Sequence, residues 1–234
     1  MICFIDYRTT KEETDNIEKL GLQYIKVPKC SLVHHAIDGH VDIQMNILDK
    51  AKRKIIIHKD IDLSFINELD KLNIDYVFSD KSLNTDYPKD IILNYLSINN
   101  LFVHSTKYTD KAVFNNINAQ KIINVKQGYT KCSVLPINDN AVITSDKIIA
   151  KKLSENNIDV LMIPPKDILL PGMNYGFIGG VGGLISPNKL ALFGQLSEYC
   201  FGNEVYNFLY KYDVEPIYLK KGKLIDRGSI FYLD

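Results

Sequence analysis

The sequence predicts a mixed α/β fold: five ββαβ units closed into a five-bladed α/β propeller by pairing of the N- and C-terminal strands. Three observations predict it. Five amphipathic stretches, each introduced by polar capping residues, recur along the 234 residues. Each is followed by one short β-rich run. All but the first are preceded by two strands with turn residues between them.

The elements follow in order. MICFIDY opens the chain as a lone strand. Thr10 with Glu13 makes a capping box ahead of a helix over Lys11–Leu20, and LQYIKVP follows as a strand. VDIQMNIL and KIIIHK pair; Asp60 and Asp62 then introduce a helix over Leu63–Leu72, followed by IDYVFS. DIILNYL and NNLFVHS precede a helix over Asp110–Ile117, introduced by Thr109 and followed by KIINVK. KCSVLPI and NDNAVITS precede a helix over Lys147–Glu155, introduced by Ser145 and Asp146 and followed by DVLMIPP. GGLIS and PNKLALFG precede a helix over Glu198–Tyr210, introduced by Ser197 and followed by VEPIYLK. RGSIFYLD ends the chain without a partner. Pairing it with MICFIDY completes a fifth blade and removes exposed sheet edges. An open α/β sheet is the alternative, but it calls for strict βαβ alternation rather than strand pairs. No Pro/Gly/Ser linker divides the chain, so one domain over residues 1–234 is expected.

Composition narrows the function classes. Lysine plus arginine and aspartate plus glutamate number 28 each, a formal net charge of zero. That balance argues against nucleic acid or an anionic membrane as partner. The opening strand turns polar too soon for a secretory signal. No apolar run approaches the roughly 18 residues of a membrane span. Cys3, Cys30, Cys132 and Cys200 are scattered with no CxxC pair, as free thiols in a reducing cytoplasm would be. The expected partner is a small molecule, with no metal or organic cofactor; oligomeric state is left open.

A five-fold ring brings one position per repeat to its axis, at a period near 47 residues. His40, Asp90, Cys132, Gly180 and Asp226 stand at the starts of the five first strands. Their spacings are 50, 42, 48 and 46 residues, with 48 on wrapping through the termini. A histidine, two carboxylates and a thiol therefore converge on one cavity.

These residues carry a resemblance. Tyr129-Thr130-Lys131-Cys132-Ser133-Val134-Leu135 is similar to the nucleophile strand of the dimethylarginine hydrolases. Gly39-His40-Val41-Asp42 resembles the Gly-His-x-Asp context of the deiminase histidine, and Asp226-Arg227-Gly228-Ser229 partly matches the family's acidic [ED]GGD turn. The chain thus resembles the pentein, or guanidino-group-modifying, enzymes, which include arginine and agmatine deiminases. The family order is acid, histidine, cysteine; here it is histidine, cysteine, acid, as a chain cut inside the acid-bearing blade would give. One departure stands out. Where the family carries substrate-binding acids in a pattern like FVEDVAVV, this chain has Phe177-Ile178-Gly179-Gly180-Val181-Gly182-Gly183.

The resemblance implies Cys132 as nucleophile, His40 as general acid and base, and Asp226 as the group that orients the imidazole. Asp42 and Asp90, with Gly180 and Gly182, are the candidates for holding substrate. Each has a structural reading beside it: a buried free thiol, a loop histidine near His34 and His35, a turn aspartate. GGVGG is not a phosphate loop, because a strand rather than a helix follows it. His34, His35 and His40 lack the companions of a metal site. The expected activity is hydrolysis of a C–N bond in a guanidine- or amidine-like molecule through a cysteine-linked intermediate. A non-catalytic pentein binding module and an amidinotransferase are the alternatives.

Overall fold

The computed structural model describes residues 1–234 as five three-stranded sheets. In each, an antiparallel pair is extended by a parallel third strand reached through a helix. Strands β3 (Met45–Asp49), β4 (Lys54–Ile57) and β5 (Asp75–Phe78) form one blade, and β6 (Leu96–Ile98), β7 (Leu101–His104) and β8 (Lys121–Asn124) the next. The pattern repeats in β9 (Val134–Asn138), β10 (Ala141–Thr144) and β11 (Asp159–Met162), and in β12 (Gly182–Ser186), β13 (Lys189–Leu192) and β14 (Glu215–Tyr218). The last blade joins the chain ends. β15 (Phe231–Leu233) pairs antiparallel with β1 (Ile2–Asp6), Phe4 opposite Phe231, and β1 pairs parallel with β2 (Gln23–Val27). The ring is closed as the sequence predicts.

Local chemistry sets the helices. Before α1 (Lys11–Lys19) the capping box is complete: Thr10 accepts from the Glu13 N–H while the Glu13 carboxylate accepts from the Thr10 N–H. Asp62 caps α3 (Leu63–Lys71) and Asp146 caps α5 (Lys147–Ser154). Two expectations shift. α4 spans only Lys111–Phe114, and its cap is Asp110, not Thr109, whose hydroxyl lies 2.7 Å from His104 Nδ1. α6 runs over Gly202–Lys211; Ser197 lies in a separate 3₁₀ turn, Leu196–Glu198. The break follows from packing, since a Cβ on Gly202 would stand 1.8 Å from the Leu196 carbonyl.

The first strands also start later than expected. Val41–Gln44 is a single helical turn (α2), and the strand begins at Met45. Asp90–Tyr95 likewise precedes β6 as turns. His40, Asp90, Cys132, Gly180 and Asp226 therefore lie in the segments leading into the first strands, not on them. Irregular backbone there frees each side chain from the pleat and lets it turn toward the axis.

Five apolar clusters hold the blades together. One runs from Ile43 and Ile56 through Tyr95 and Phe102 to Cys132, so the nucleophile candidate is packed into a core wall. No helix is long and apolar enough to cross a membrane. All four cysteines are free.

Candidate active site

Four of the five register residues, His40, Asp90, Cys132 and Asp226, line one cavity of about 410 Å³. Cys132 sits in a tight turn just before β9, with its backbone N–H directed at Asn94 Oδ1 at 3.2 Å. Its thiol donates to Asp42 Oδ1 and accepts from Asn94 Nδ2, both at 3.1 Å. Asn94 also donates to the Asp42 carbonyl at 2.8 Å and accepts from the Lys131 N–H at 2.9 Å. One amide thus ties the turns of three blades together around the sulfur.

His40 precedes α2 and is buried, 1% exposed. It fits because Gly228, at φ +69°, has no Cβ; one there would stand 2.3 Å from the His40 Cβ. The donor atoms of His40, Asp42 and Cys132 all lie within 4.8 Å of one another. A ring nitrogen is therefore close to the sulfur, and the three atoms are spaced as ligands of a small cation would be. His40 Nε2 lies 3.7 Å from Asp226 Oδ1, and neither ring nitrogen has a hydrogen-bond partner within the chain. Asp226 accepts the Phe177 and Gly228 N–H groups at 2.8 and 2.9 Å.

Electrostatics keep the thiol protonated. Burial above all, then the nearby carboxyls of Asp42 and Asp226, push Cys132 well above an ordinary thiol. Burial likewise raises Asp226, opposed by His40, and raises Asp90, opposed by its bond from the Tyr129 hydroxyl. One cation answers these groups from below. Lys131 Nζ, fully buried, donates to Ser229 Oγ at 2.8 Å, and Ser229 Oγ lies 2.7 Å from Asp42 Oδ2. Burial pulls that lysine down, while Asp42, Cys132 and Asp226 hold it up.

Three expected substrate contacts fall elsewhere. Asp42 stands behind the thiol, its oxygens engaged with Cys132 and Ser229, and does not line the cavity. Gly180 backs Asp226: a Cβ would fall 1.8 Å from Asp226 Oδ1, so this carboxyl fills the space that a side chain at 180 would need. Gly182 lies in β12 opposite Leu192, where a Cβ would strike the Ala191 carbonyl at 2.0 Å; sheet packing explains it. Asp90 does reach the cavity and keeps one buried oxygen unpartnered. Sequence reasoning gave no role to Asn94, Lys131, Ser229 or the aromatic wall of Tyr87, Tyr129 and Phe177. Tyr129 sits between the other two, with ring centroids 5.8 and 6.1 Å away. Proximity to register positions, as in Asp90-x₃-Asn94 and Asp226-x₂-Ser229, was the available signal.

A family profile described as Family of unknown function (DUF6873) matches residues 4–231. The chain belongs to DUF6873. A search of curated protein sequences found no match. Solved structures do resemble the DUF6873 chain. SxtG, an amidinotransferase of saxitoxin biosynthesis from Microseira wollei, superimposes with a TM-score of 0.55 at 9% identity, covering 90% of this chain and 74% of that one. The agmatine deiminase of C. jejuni gives 0.53 at 11% identity, covering 94% and 75%. DDAH from Pseudomonas aeruginosa, complexed with citrulline, gives 0.50 at 8%, covering 93% and 91%. All are penteins, and what the DUF6873 chain shares with them is that fold.

Proposed function

We propose that the DUF6873 chain is a cysteine hydrolase that cleaves a C–N bond of a guanidine- or amidine-like small molecule. The observation that carries this reading is the meeting of Cys132, His40 and Asp226 at one cavity, with a His40 nitrogen within 4.8 Å of the sulfur. The pentein neighbours include an amidinotransferase and a deiminase, in keeping with guanidino chemistry.

The resting thiol is protonated, so the substrate must help to ionise it. An amidinium in the cavity brings the positive charge that favours thiolate. The sulfur then bonds to the amidinium carbon as its proton passes to His40. His40 returns that proton to the departing nitrogen, the C–N bond breaks, and a thiouronium remains on Cys132. Water loses a proton to His40 and adds to the same carbon. The C–S bond breaks, and His40 reprotonates the sulfur. The urea's O–H proton is taken up by the released amine, so the sum is guanidinium plus water giving a urea and an ammonium ion. Asp226 steadies the imidazolium in both halves.

The buried, protonated thiol equally suits a binding module in which Cys132 only packs. Labelling separates the two. Cationic 2-chloroacetamidine is expected to modify Cys132 ahead of exposed Cys200, while neutral iodoacetamide shows the reverse order. Equal preference for both reagents would favour the binding module. Changing Cys132 to Ala is expected to lower turnover by at least about a thousandfold; a variant that stayed active would sink the mechanism.

A further inference from the structure

The chemistry of the cavity wall selects among cations. Its lining carries the carboxyls of Asp90 and Asp226 and the imidazoles of His34 and His40, and no lysine or arginine. The nearby cationic side chains are engaged elsewhere. Arg8 is bound to Asp6 and to the carbonyls of His35 and Ala36; Arg227 faces Glu13; Lys131 points to Ser229. His34 Nδ1 accepts the Ala36 N–H. A carboxylate on the ligand would therefore enter beside two acids with no cation to meet it, a desolvation and repulsion penalty.

The acceptors for a cation are few. Asp226 is occupied by two backbone N–H groups, and one Asp90 oxygen by Tyr129. The other Asp90 oxygen is buried and unpartnered, an acceptor suited to one amidinium N–H. The rest of the lining is mostly apolar, Thr85 and Asn174 being its uncharged polar side chains. Tyr87, Tyr129 and Phe177 form an aromatic row, and Leu170 and Ile37 add to the apolar lining. At the mouth Tyr87, Met173 and Tyr175 remain 54, 47 and 43% exposed, large apolar surface left open to a ligand.

We infer that the substrate is a monocationic guanidine or amidine bearing an aryl or bulky alkyl body and no carboxylate. The inference rests on the hydrolase reading only for its head group. The head lies between the Asp90 oxygen and Cys132, and the body lies along the aromatic row with its far end between Met173 and Tyr175.

The test uses equilibrium binding, which does not depend on turnover. Phenethylguanidine, n-butylguanidine, agmatine and L-arginine are titrated by calorimetry into the Cys132→Ala protein at pH 8, where an ordinary histidine is uncharged. Protection of wild-type Cys132 from 2-chloroacetamidine gives the same ranking without the variant. Phenethylguanidine is expected to bind at least about tenfold tighter than L-arginine, with agmatine between them. Met173→Arg, which places a cation at the mouth, is expected to close most of that gap. L-arginine binding as tightly as phenethylguanidine, or no guanidine binding or protecting at all, overturns the inference. Amine release by the wild-type protein is measured separately. The expected ranking without release would leave the ligand class standing and remove the hydrolase reading; release from L-arginine with the ranking reversed would do the opposite.

Discussion

At the residue scale, the sulfur of Cys132 is governed by a short chain of contacts. The thiol proton is directed at Asp42, the far oxygen of Asp42 meets Ser229, and Ser229 meets the Lys131 ammonium. Asp226, from the same lead-in as Ser229, and His40, from the same lead-in as Asp42, face the cluster as well. Ser229 holds its place at φ 74°, a left-handed conformation costly for a residue with a Cβ and tolerated here because its hydroxyl is central to the network. Removing that hydroxyl unlinks the lysine from Asp42 without removing either charge. Ser229→Ala is therefore expected to slow 2-chloroacetamidine labelling of Cys132 about fivefold, the worth of one buried hydrogen bond, and to change its pH profile. Unaltered rate and profile would reduce Ser229 to a packing role. Cys132, Asp42, Asp226 and His40 were legible from the register and motifs; the Lys131–Ser229 link between them was not. Lys131 and Ser229 are 98 residues apart, and nothing local says that either is buried.

At the element scale, the closing blade decides the topology, and it was legible. MICFIDY and RGSIFYLD each lacked a partner, and β-rich runs at both ends of a repeat protein have an obvious solution in each other. Helix starts were legible where a capping box singled out the residue, as Glu13 does Thr10, and less so where two candidates competed without one, as Thr109 and Asp110 did. VDIQ reads as strand by its apolar alternation; the ring overrides it, because Val41–Gln44 must turn to carry His40 and Asp42 inward. Ring closure has a direct test. Because Ile2 faces Leu233, a short Asn-Gly turn can join the native ends, and new ends can be opened between Ala51 and Lys52 in the β3–β4 hairpin. The permutant places its break within a blade, as the native chain does. It is expected to fold cooperatively, with 2-chloroacetamidine labelling of Cys132 within about twofold of the parent, since breaks at exposed loops between adjacent ends are tolerated. A permutant that fails to fold would show that the native break has a structural role beyond closure.

At the scale of the whole molecule, the balance of charges at neutral pH conceals an acid sensitivity in two histidines that take no part in the site. His58 follows β4 and His104 ends β7, so both stand at the inner end of their blade's second strand. Burial lowers each from 6.5 to about 4. His104 is satisfied by Thr109 and the Gly128 carbonyl, whereas neither ring nitrogen of His58 has a partner. A folded-state value below the unfolded one means stability that is present above pH 6.5 and lost as pH falls toward 4. Fully expressed, each histidine contributes a loss of roughly 3 kcal/mol. The raised carboxyls of Asp90 and Asp226 act in the opposite sense, gaining protons more readily when folded. His58→Leu removes one of the two losses and leaves no polar group unpaired, so stability at pH 7 is expected to hold or rise. Between pH 6.5 and 4 the variant is expected to lose about half as much as the parent to histidine protonation, read from urea unfolding at half-unit intervals. Parallel curves for parent and variant would mean that His58 finds water or a proton acceptor that its surroundings do not display, and that His104 carries the histidine part of the acid response.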